Sequence, residues 1–212
     1  MNWLEKSFRK KPLPRSFYQR PTLEVAKELL GKGLFVKNRS GSFLCRIVEV
    51  EAYLAEDDPA SHSFRGPTPR NAPMFCEGGT AYVYFTYGMH FCMNVVTEPS
   101  GKGAAVLFRA AEPLLGIKEM QKNRKLKGES PLKNLCSGPA KLTQALGINL
   151  KDNKRTFFRP ELKLIDLRQD LSDSQIGSTP RIGISKGTEL PFRFIIKDSP
   201  WISKHVFRKH TR

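Results

Sequence analysis

Long apolar runs, clustered metal ligands and a signal-like start are all missing from this 212-residue sequence. No stretch of about 18 apolar residues occurs, so we expect no transmembrane helix and no membrane partner. The first residues, Met1 to Lys6, lack the apolar core of a secretory signal. The four cysteines form no Cys-x-x-Cys pair and only four histidines accompany them, which argues against structural zinc. We therefore expect free thiols in a reducing cytoplasm.

Acidic residues are scarce as well. The chain has 20 Asp and Glu residues and 36 Lys and Arg residues, which gives a formal net charge of +16. Such a surplus is a poor match for a metabolic enzyme with a small neutral substrate. It favours a polyanionic partner, since phosphate neutralisation supplies most of the non-specific affinity for DNA or RNA. A ribosome-associated protein, or a generally basic proteome, would also explain the charge. Charge by itself therefore leaves nucleic-acid binding as one of several interpretations.

The composition, with 39% hydrophobic and 10% aromatic residues, is typical of a globular chain with a buried core. We divide it into a basic N-terminal arm at 1–20, one domain at 21–205 and a basic tail at 206–212. The domain is predicted to be α+β, with a curved, open and barrel-like antiparallel sheet surrounded by helices and a protruding β-hairpin.

Hydrophobic periodicity and turn residues predict the individual elements. Strands are expected at 34–37, 43–53, 104–109, 181–185 and 192–197, and a hairpin over 80–97 around Gly88. Helices are expected at 22–30, 114–125 and 139–146, the first capped by Thr22 and the last by Ser137, with Gly31 and Gly147 as stops. Residues 54–79, 126–135 and 151–180 are expected to be irregular. The first of these loops is long enough to suggest a functional role.

The strand over 43–53 places two carboxylates on one face, because Glu49, Glu51 and Tyr53 alternate with apolar residues. Like charges this close are costly unless another group holds them. A solvated outer face near Arg46 is the plain alternative. The following loop favours a pocket instead, since it carries an imidazole and several phosphate-seeking groups: His62, Arg65, Thr68, Arg70 and Asn71.

The hairpin carries bulky side chains where a turn is expected. Tyr87, Met89 and His90 cannot all be core residues at a hairpin tip, and nucleic-acid-binding proteins insert such wedges between base steps. Ordinary β-propensity of aromatic residues is the alternative. If the tip is Gly88 to His90, Tyr84 lies opposite Asn94, whereas a two-residue turn separates them. We predict the three-residue tip, with Gly88 or a neighbour in a bulged conformation.

Several segments in the same order resemble the alkyladenine (3-methyladenine) DNA glycosylase family over roughly residues 23–203. They are RIVEVEAYLAEDDPASHSFRG, TPRNAPMF, GTAYVYFTYGMHFCMN, GAAVLFRAAEPL, LCSGPAKLTQALGI and RFIIKDSPWIS. The resemblance implies a DNA repair enzyme that flips alkylated or deaminated purines of the 3-methyladenine, 7-methylguanine and hypoxanthine type out of duplex DNA. It implies hydrolysis of the N-glycosidic bond by a monofunctional monomer that needs no metal or other cofactor. We expect a bacterial, nucleoid-associated enzyme of the cytoplasm, or a nuclear one in a eukaryote.

The resemblance also implies roles for single residues. Glu51 matches the general base that activates the attacking water, and Arg109 matches the residue that helps to hold that water. Asn94 matches the pocket residue that crowds the exocyclic amine of guanine. The side chains that stack on and enclose the flipped base in the family correspond here to Tyr53, His62 and Tyr84. Tyr87 matches the residue that is pushed into the gap left by the flipped base. Four further residues fall on segments that touch the DNA near that gap: Thr68, Arg70, Met89 and His90. The family commonly has an aromatic residue where His90 stands, and the 65–68 stretch is one residue shorter than in some relatives.

One carboxylate suffices for a cationic alkylated purine, which leaves without protonation, whereas ordinary glycosidases need two. A neutral damaged base needs an acid that protonates it as it leaves. His62 and an ordered water are the two alternatives for this acid, and the sequence does not decide between them. Glu49 is interpreted as a structural residue or one that acts through another side chain. The rival functions are a non-catalytic nucleic-acid-binding module, which leaves Glu51 unexplained, and a sugar hydrolase using both glutamates, which leaves the charge unexplained.

Overall fold

Nine antiparallel strands form one curled sheet in the computed structural model, which describes residues 9–86, 88–126 and 131–203. The strands are β1 Gly33–Asn38, β2 Gly41–Tyr53, β3 Ala81–Thr86, β4 His90–Thr97, β5 Ala104–Leu115, β6 Phe158–Arg159, β7 Leu162–Ile165, β8 Ile176–Thr179 and β9 Arg193–Ile196. Seven of them lie side by side in the order β3-β4-β5-β2-β1-β7-β6, and β9 pairs with both β2 and β8. The α-helices are α1 Arg15–Tyr18, α2 Thr22–Leu29, α3 Ile117–Asn123 and α4 Pro139–Leu146.

The 13-residue strand β2 organises the sheet. Strand β5 pairs along one edge of β2, while the other edge is shared, with β1 pairing over 41–46 and β9 over 49–51. The register with β5 slips between Ile47 and Val50. Such irregularities bend a strand and re-aim its side chains. The sheet therefore curls into a half-barrel at the point where Glu49 and Glu51 lie.

The core lies between the sheet and the helices that cover it. Helix α2 buries Val25, Ala26 and Leu29, and α4 buries Leu142, Ala145 and Leu146, at the spacing of one helical face. Each fully buried valine or leucine side chain among them stabilises the fold by about 1.5–3 kcal/mol. The α+β prediction, with a single domain on a curved antiparallel sheet, is confirmed. None of the helices in the described part of the chain is long and apolar enough to cross a bilayer.

The boundary predicted at residue 20, between arm and domain, stays a prediction, but part of the arm lies in the core. Leu13 and Tyr18 are buried there, and the Leu13 N–H donates to the Leu164 carbonyl at 2.8 Å. The first eight residues and the tail from 204 lie outside the described residues.

Several boundaries differ from the sequence predictions, and each has a local cause. Thr22 does not cap α2, because the helix begins at Thr22 itself and Pro21 occupies the N-cap position; the Thr22 hydroxyl bonds to that of Thr97 at 2.9 Å. Ser137 does not cap α4, which starts after Gly138 with no side-chain cap. Strand β5 continues to Leu115, so α3 begins only after Gly116 turns the chain with φ 81°.

The C-terminal third also differs from the prediction. Residues 151–180, expected to be irregular, contain β6, β7 and β8. The strand expected at 181–185 is wrong, because this segment is irregular and lies against the end of β2. The strand predicted at 192–197 is confirmed as β9.

The hairpin of β3 and β4 has a three-residue tip, but the tip lies one residue earlier than predicted and the predicted register is therefore wrong by two residues. Thr86 pairs with His90, so the tip is 87–89 and Tyr84 lies opposite Cys92, while Tyr82 lies opposite Asn94. Gly88 takes φ 68°, and the Met89 N–H donates to the Thr86 carbonyl at 3.3 Å. This left-handed conformation favours glycine and places it in the middle of the tip. Tyr84 and Asn94 still share one face, as diagonal neighbours.

Candidate active site

A cavity of about 340 Å³ opens beside the hairpin, and its volume is at the lower end of the range for small-molecule sites. It lies between the ends of β2 and β5, the face shared by β3 and β4, and two irregular segments. Six of the residues predicted for the site line it: Tyr53, His62, Arg70, Tyr84, Asn94 and Arg109. Sequence reasoning missed others on its wall, among them Tyr82, Cys92, Ile182 and Lys186.

Aromatic rings form one wall of the cavity. Alternation along β3 turns Tyr82 and Tyr84 to the same side, with their ring centroids 5.2 Å apart. The His62 ring meets Tyr84 edge-on at 4.6 Å, and its Nδ1 lies 2.9 Å from the Tyr82 hydroxyl. Desolvation lowers the pKa of His62, and the nearby Arg70 charge acts in the same direction. The neutral imidazole and the two phenols therefore form an uncharged, π-rich surface.

Burial keeps the phenols protonated. Desolvation raises the pKa of Tyr82 to about 12 and raises that of Tyr84 further. Burial also raises the pKa of Tyr53, and the neighbouring charge of Glu51 adds to the effect.

Asn94 is buried on the same wall with its amide in a fixed orientation. Its Nδ2 donates to the Tyr82 carbonyl at 3.0 Å across the hairpin. Because this bond fixes the nitrogen, the side chain presents a rigid edge to anything that enters the cavity.

Glu51 lies directly behind the cavity wall, with no exposed surface of its own. Its Oε2 accepts the Tyr53 hydroxyl at 2.9 Å and Arg109 Nη1 at 3.2 Å, and both of these residues line the cavity. Its Oε1 accepts the Ile182 backbone N–H at 2.7 Å. An ionised carboxylate has about four acceptor positions, so three are occupied by described residues.

Arg109 bridges the two glutamates of β2. Its Nε donates to Glu49 Oε1 at 2.9 Å while its Nη1 reaches Glu51. Burial alone would lower the pKa of Arg109, but the charges of Glu51 and Glu49 outweigh it and raise the pKa. The arginine therefore stays charged beside the cavity, and the alternative of a solvated acidic face for Glu49 and Glu51 is wrong.

Glu49 is held from the side away from the cavity. Arg193 Nε donates to its Oε1 at 2.8 Å, and Ser203 donates its backbone N–H at 2.5 Å and its hydroxyl at 2.7 Å. Burial alone would raise the pKa of Glu49, but Arg109, Arg193 and the Ser203 hydrogen bonds outweigh it and lower the pKa. Glu49 is thus a fixed anion that orients Arg109.

Among the residues expected to touch a nucleic acid, Arg70 lines the cavity, and Met89 and His90 lie at the end of the hairpin. Arg70 donates to the Phe85 carbonyl at 3.4 Å and has its guanidinium 5.9 Å from the Tyr84 ring centroid. Met89 is 70% exposed at the hairpin tip, while His90 is half-buried as the first residue of β4. Thr68 is exposed in a turn closed by Asn71, outside the cavity wall. Tyr87, the expected wedge, lies outside the described residues.

Over residues 9–86, 88–126 and 131–203, no group of three His, Cys, Asp or Glu side chains is placed to hold a metal ion. What the site offers chemically is a carboxylate next to a permanent cation, behind an uncharged aromatic cavity. A carboxylate in this position can accept a proton from water, and the rings can stack on a planar, electron-poor group.

Known proteins resemble this chain over most of its length. The family model for methylpurine-DNA glycosylase matches residues 16–200. A Francisella tularensis protein (subsp. tularensis, strain FSC 198) named "Putative 3-methyladenine DNA glycosylase" is 50% identical over 185 residues, which cover 86% of this chain and 94% of the relative. Proteins of the same name from Prosthecochloris aestuarii and Carboxydothermus hydrogenoformans are 49% identical over 191 residues and 45% identical over 192 residues. The matches cover 90% of this chain and 90% of the first, and 91% of this chain and 98% of the second.

Proposed function

Since the chain belongs to the methylpurine-DNA glycosylase family, whose members are DNA repair enzymes, we propose that it flips damaged purines out of duplex DNA and hydrolyses their bond to the sugar. The substrates are alkylated or deaminated purines of the 3-methyladenine, 7-methylguanine and hypoxanthine type. The observation that carries this proposal is the Glu51 carboxylate, which lies beside Arg109 directly behind an aromatic cavity.

The cavity supports a preference for damaged bases. Extruding a base costs a few kcal/mol, and stacking on aromatic side chains returns about 1–3 kcal/mol per contact. Tyr53, His62 and Tyr84 supply such rings, and their π-faces attract a cationic alkylated purine more strongly than a neutral one. Asn94, held by the Tyr82 carbonyl, crowds the exocyclic amine of guanine. Tyr87 fills the gap that the flipped base leaves in the stack.

Glu51 acts as the base in the chemical step. One of its acceptor positions is free of bonds to described residues, and a water bound there donates its proton to the carboxylate as it attacks the anomeric carbon. Arg109 donates to the other oxygen of the carboxylate and places a positive charge beside it. A cationic purine leaves without further help, so a single carboxylate is sufficient for it.

DNA is attracted by the net charge of +16 and by cations at the mouth of the cavity. Arg70 lies there, and Thr68, Met89 and His90 flank it on the loop and the hairpin. The enzyme is proposed to act as a monomer that leaves the strand intact. Lys186 also lines the cavity, and an amine that attacked the sugar would instead cut the strand, so strand integrity has to be measured.

The test is release of free base from a duplex that contains one hypoxanthine or one alkylated purine. We expect wild type to release the base and leave an abasic strand that breaks only on alkali treatment, with no adduct trapped by borohydride. Glu51→Gln should bind the duplex as tightly as wild type and release no base. Glu24→Gln, on the exposed face of α2, is the matched control and should behave as wild type. Binding without release by wild type would instead support the non-catalytic module.

A further inference from the structure

A second buried ion pair, Asp58 with Arg181, lies outside the group formed by Glu49, Glu51 and Arg109. Both side chains are fully buried, and they form two parallel bonds, Nη1 to Oδ2 at 2.5 Å and Nη2 to Oδ1 at 2.7 Å. Asp58 also accepts the backbone N–H groups of Leu54 and Ala60 at 3.1 Å each. Arg181 donates to the Ala52 carbonyl at 2.9 Å. The pair therefore ties the loop after β2 to the segment before β9.

The guanidinium of Arg181 stacks on the ring of Tyr53, with its central carbon 4.6 Å from the ring centroid. Tyr53 lines the cavity, whereas Arg181 does not. The ring therefore stands between the guanidinium and the cavity, and the arginine supports the face that a base does not touch. Stacking of a planar guanidinium fixes the tilt of the ring in a way that an apolar neighbour does not.

The residue after Arg181 reaches the proposed base. The Ile182 N–H donates to Glu51 Oε1 at 2.7 Å, and residues 182–186 continue along the cavity wall. Among the described groups that donate to Glu51, the Tyr53 hydroxyl belongs to the ring that Arg181 contacts, and the Ile182 N–H belongs to the residue that follows Arg181. Arg109 alone is held independently, by Glu49.

We propose that Arg181, anchored by Asp58, is the positioning residue of the hydrolytic site, because it sets both the Tyr53 ring and the Ile182 donor around Glu51. The inference rests on the proposed function of Glu51. A buried ion pair seldom gives more stability than apolar side chains of similar volume. Replacing both charges together therefore removes the positioning without leaving an unpaired charge in the interior.

The experiment compares single-turnover base release with DNA affinity in Asp58→Asn/Arg181→Met. Rates are normalised to the active fraction, measured by stoichiometric binding to the duplex. We expect a folded protein whose affinity is within a few-fold of wild type and whose rate is roughly 10- to 100-fold lower, because small misplacements of reacting groups have effects of this size. Arg181→Lys keeps the charge but loses the planar fork, and should recover part of the rate.

The matched control is the exposed two-bond pair of Arg20 and Glu28, with contacts at 2.7 and 2.9 Å. Arg20→Met/Glu28→Gln should leave the rate unchanged. A normalised rate equal to wild type in the Asp58→Asn/Arg181→Met variant would overturn the proposal. A lower total activity that is explained entirely by a smaller active fraction would also overturn it. So would a lower rate that is matched by an equal loss of DNA affinity. If the double variant does not fold, Arg181→Lys carries the same test, and a wild-type normalised rate there overturns the proposal. Should wild type itself release no base, the proposed function fails, which is a different outcome.

Discussion

Glu49 and Glu51 are two residues apart on β2, fully buried and bonded to the same arginine, yet their surroundings differ. Glu49 accepts four hydrogen bonds, from Arg109, Arg193 and twice from Ser203. Glu51 accepts three, from Arg109, Tyr53 and the Ile182 backbone, on the side of the cavity.

We propose that this difference separates a structural anion, Glu49, from the catalytic base, Glu51. Described residues donate four hydrogen bonds to Glu49, three of them to Oε1, and three to Glu51, two of them to Oε2. Two arginines neutralise Glu49, whereas Glu51 has hydrogen bonds from one. Because the two residue types are identical, we infer that the position relative to the cavity and the set of donors determine the role of each.

The largest expected effect on stability concerns Glu49→Gln. Removing this charge leaves Arg109 and Arg193 in the interior with too little compensation, and we expect a loss of about 3–5 kcal/mol in the free energy of unfolding. Urea denaturation followed by circular dichroism measures it. Glu51→Gln is the paired variant, and its loss should be smaller because Glu49 still neutralises Arg109. An equal loss of unfolding free energy in the two variants would contradict the proposed difference between Glu49 and Glu51.

Arg109→Lys tests the connection between the two carboxylates. A lysine keeps the charge but cannot present separate nitrogens to both, so one of the two contacts is lost. We expect base release to slow by roughly 10- to 100-fold, since the proposed water and base are no longer aligned. Single-turnover kinetics on a hypoxanthine duplex measures the rate. An unchanged rate would show that the bridge does not serve the reaction.

The smallest effect is a difference in the acid dependence of stability. The pKa of Glu49 lies below its ordinary value of 4.5 in the folded protein, so its contribution is fully present above that pH and is lost as pH falls through the folded pKa. Wild type should therefore lose unfolding free energy on acidification below about pH 4.5, and Glu49→Gln should lose less. Denaturation curves recorded from about pH 7 to about pH 3 compare the two. An equal loss of unfolding free energy on acidification in wild type and Glu49→Gln would contradict the role of Glu49 as a buried anion.

The local parts of this arrangement could be predicted from the sequence. Alternation along β2 and β3 placed Glu51 with Tyr53 and Tyr82 with Tyr84, because a strand turns every second side chain to the same face. The predicted hairpin register was wrong by two residues. A shift of two residues keeps every side chain on the same face, so alternation does not distinguish the two registers.

The distant partners could not be predicted. Arg181 lies 123 residues from Asp58, and Ser203 lies 154 residues from Glu49. No periodicity connects such positions, because the sheet brings them together only after β9 pairs with β2. Alternation along β2 placed Glu51 beside Tyr53, and the family resemblance predicted its role as the base, while the groups that hold Glu49, Tyr53 and the Ile182 donor appear only in the folded chain.

The central claim is that Glu51 is the base and Glu49 its support. It is tested most directly by single-turnover release of hypoxanthine from duplex DNA by Glu51→Gln and Glu49→Gln, each normalised to DNA-bound enzyme. We expect no measurable release by Glu51→Gln and a reduced but measurable rate by Glu49→Gln, with both variants binding the duplex. Release by Glu51→Gln at or above the rate of Glu49→Gln would contradict the account.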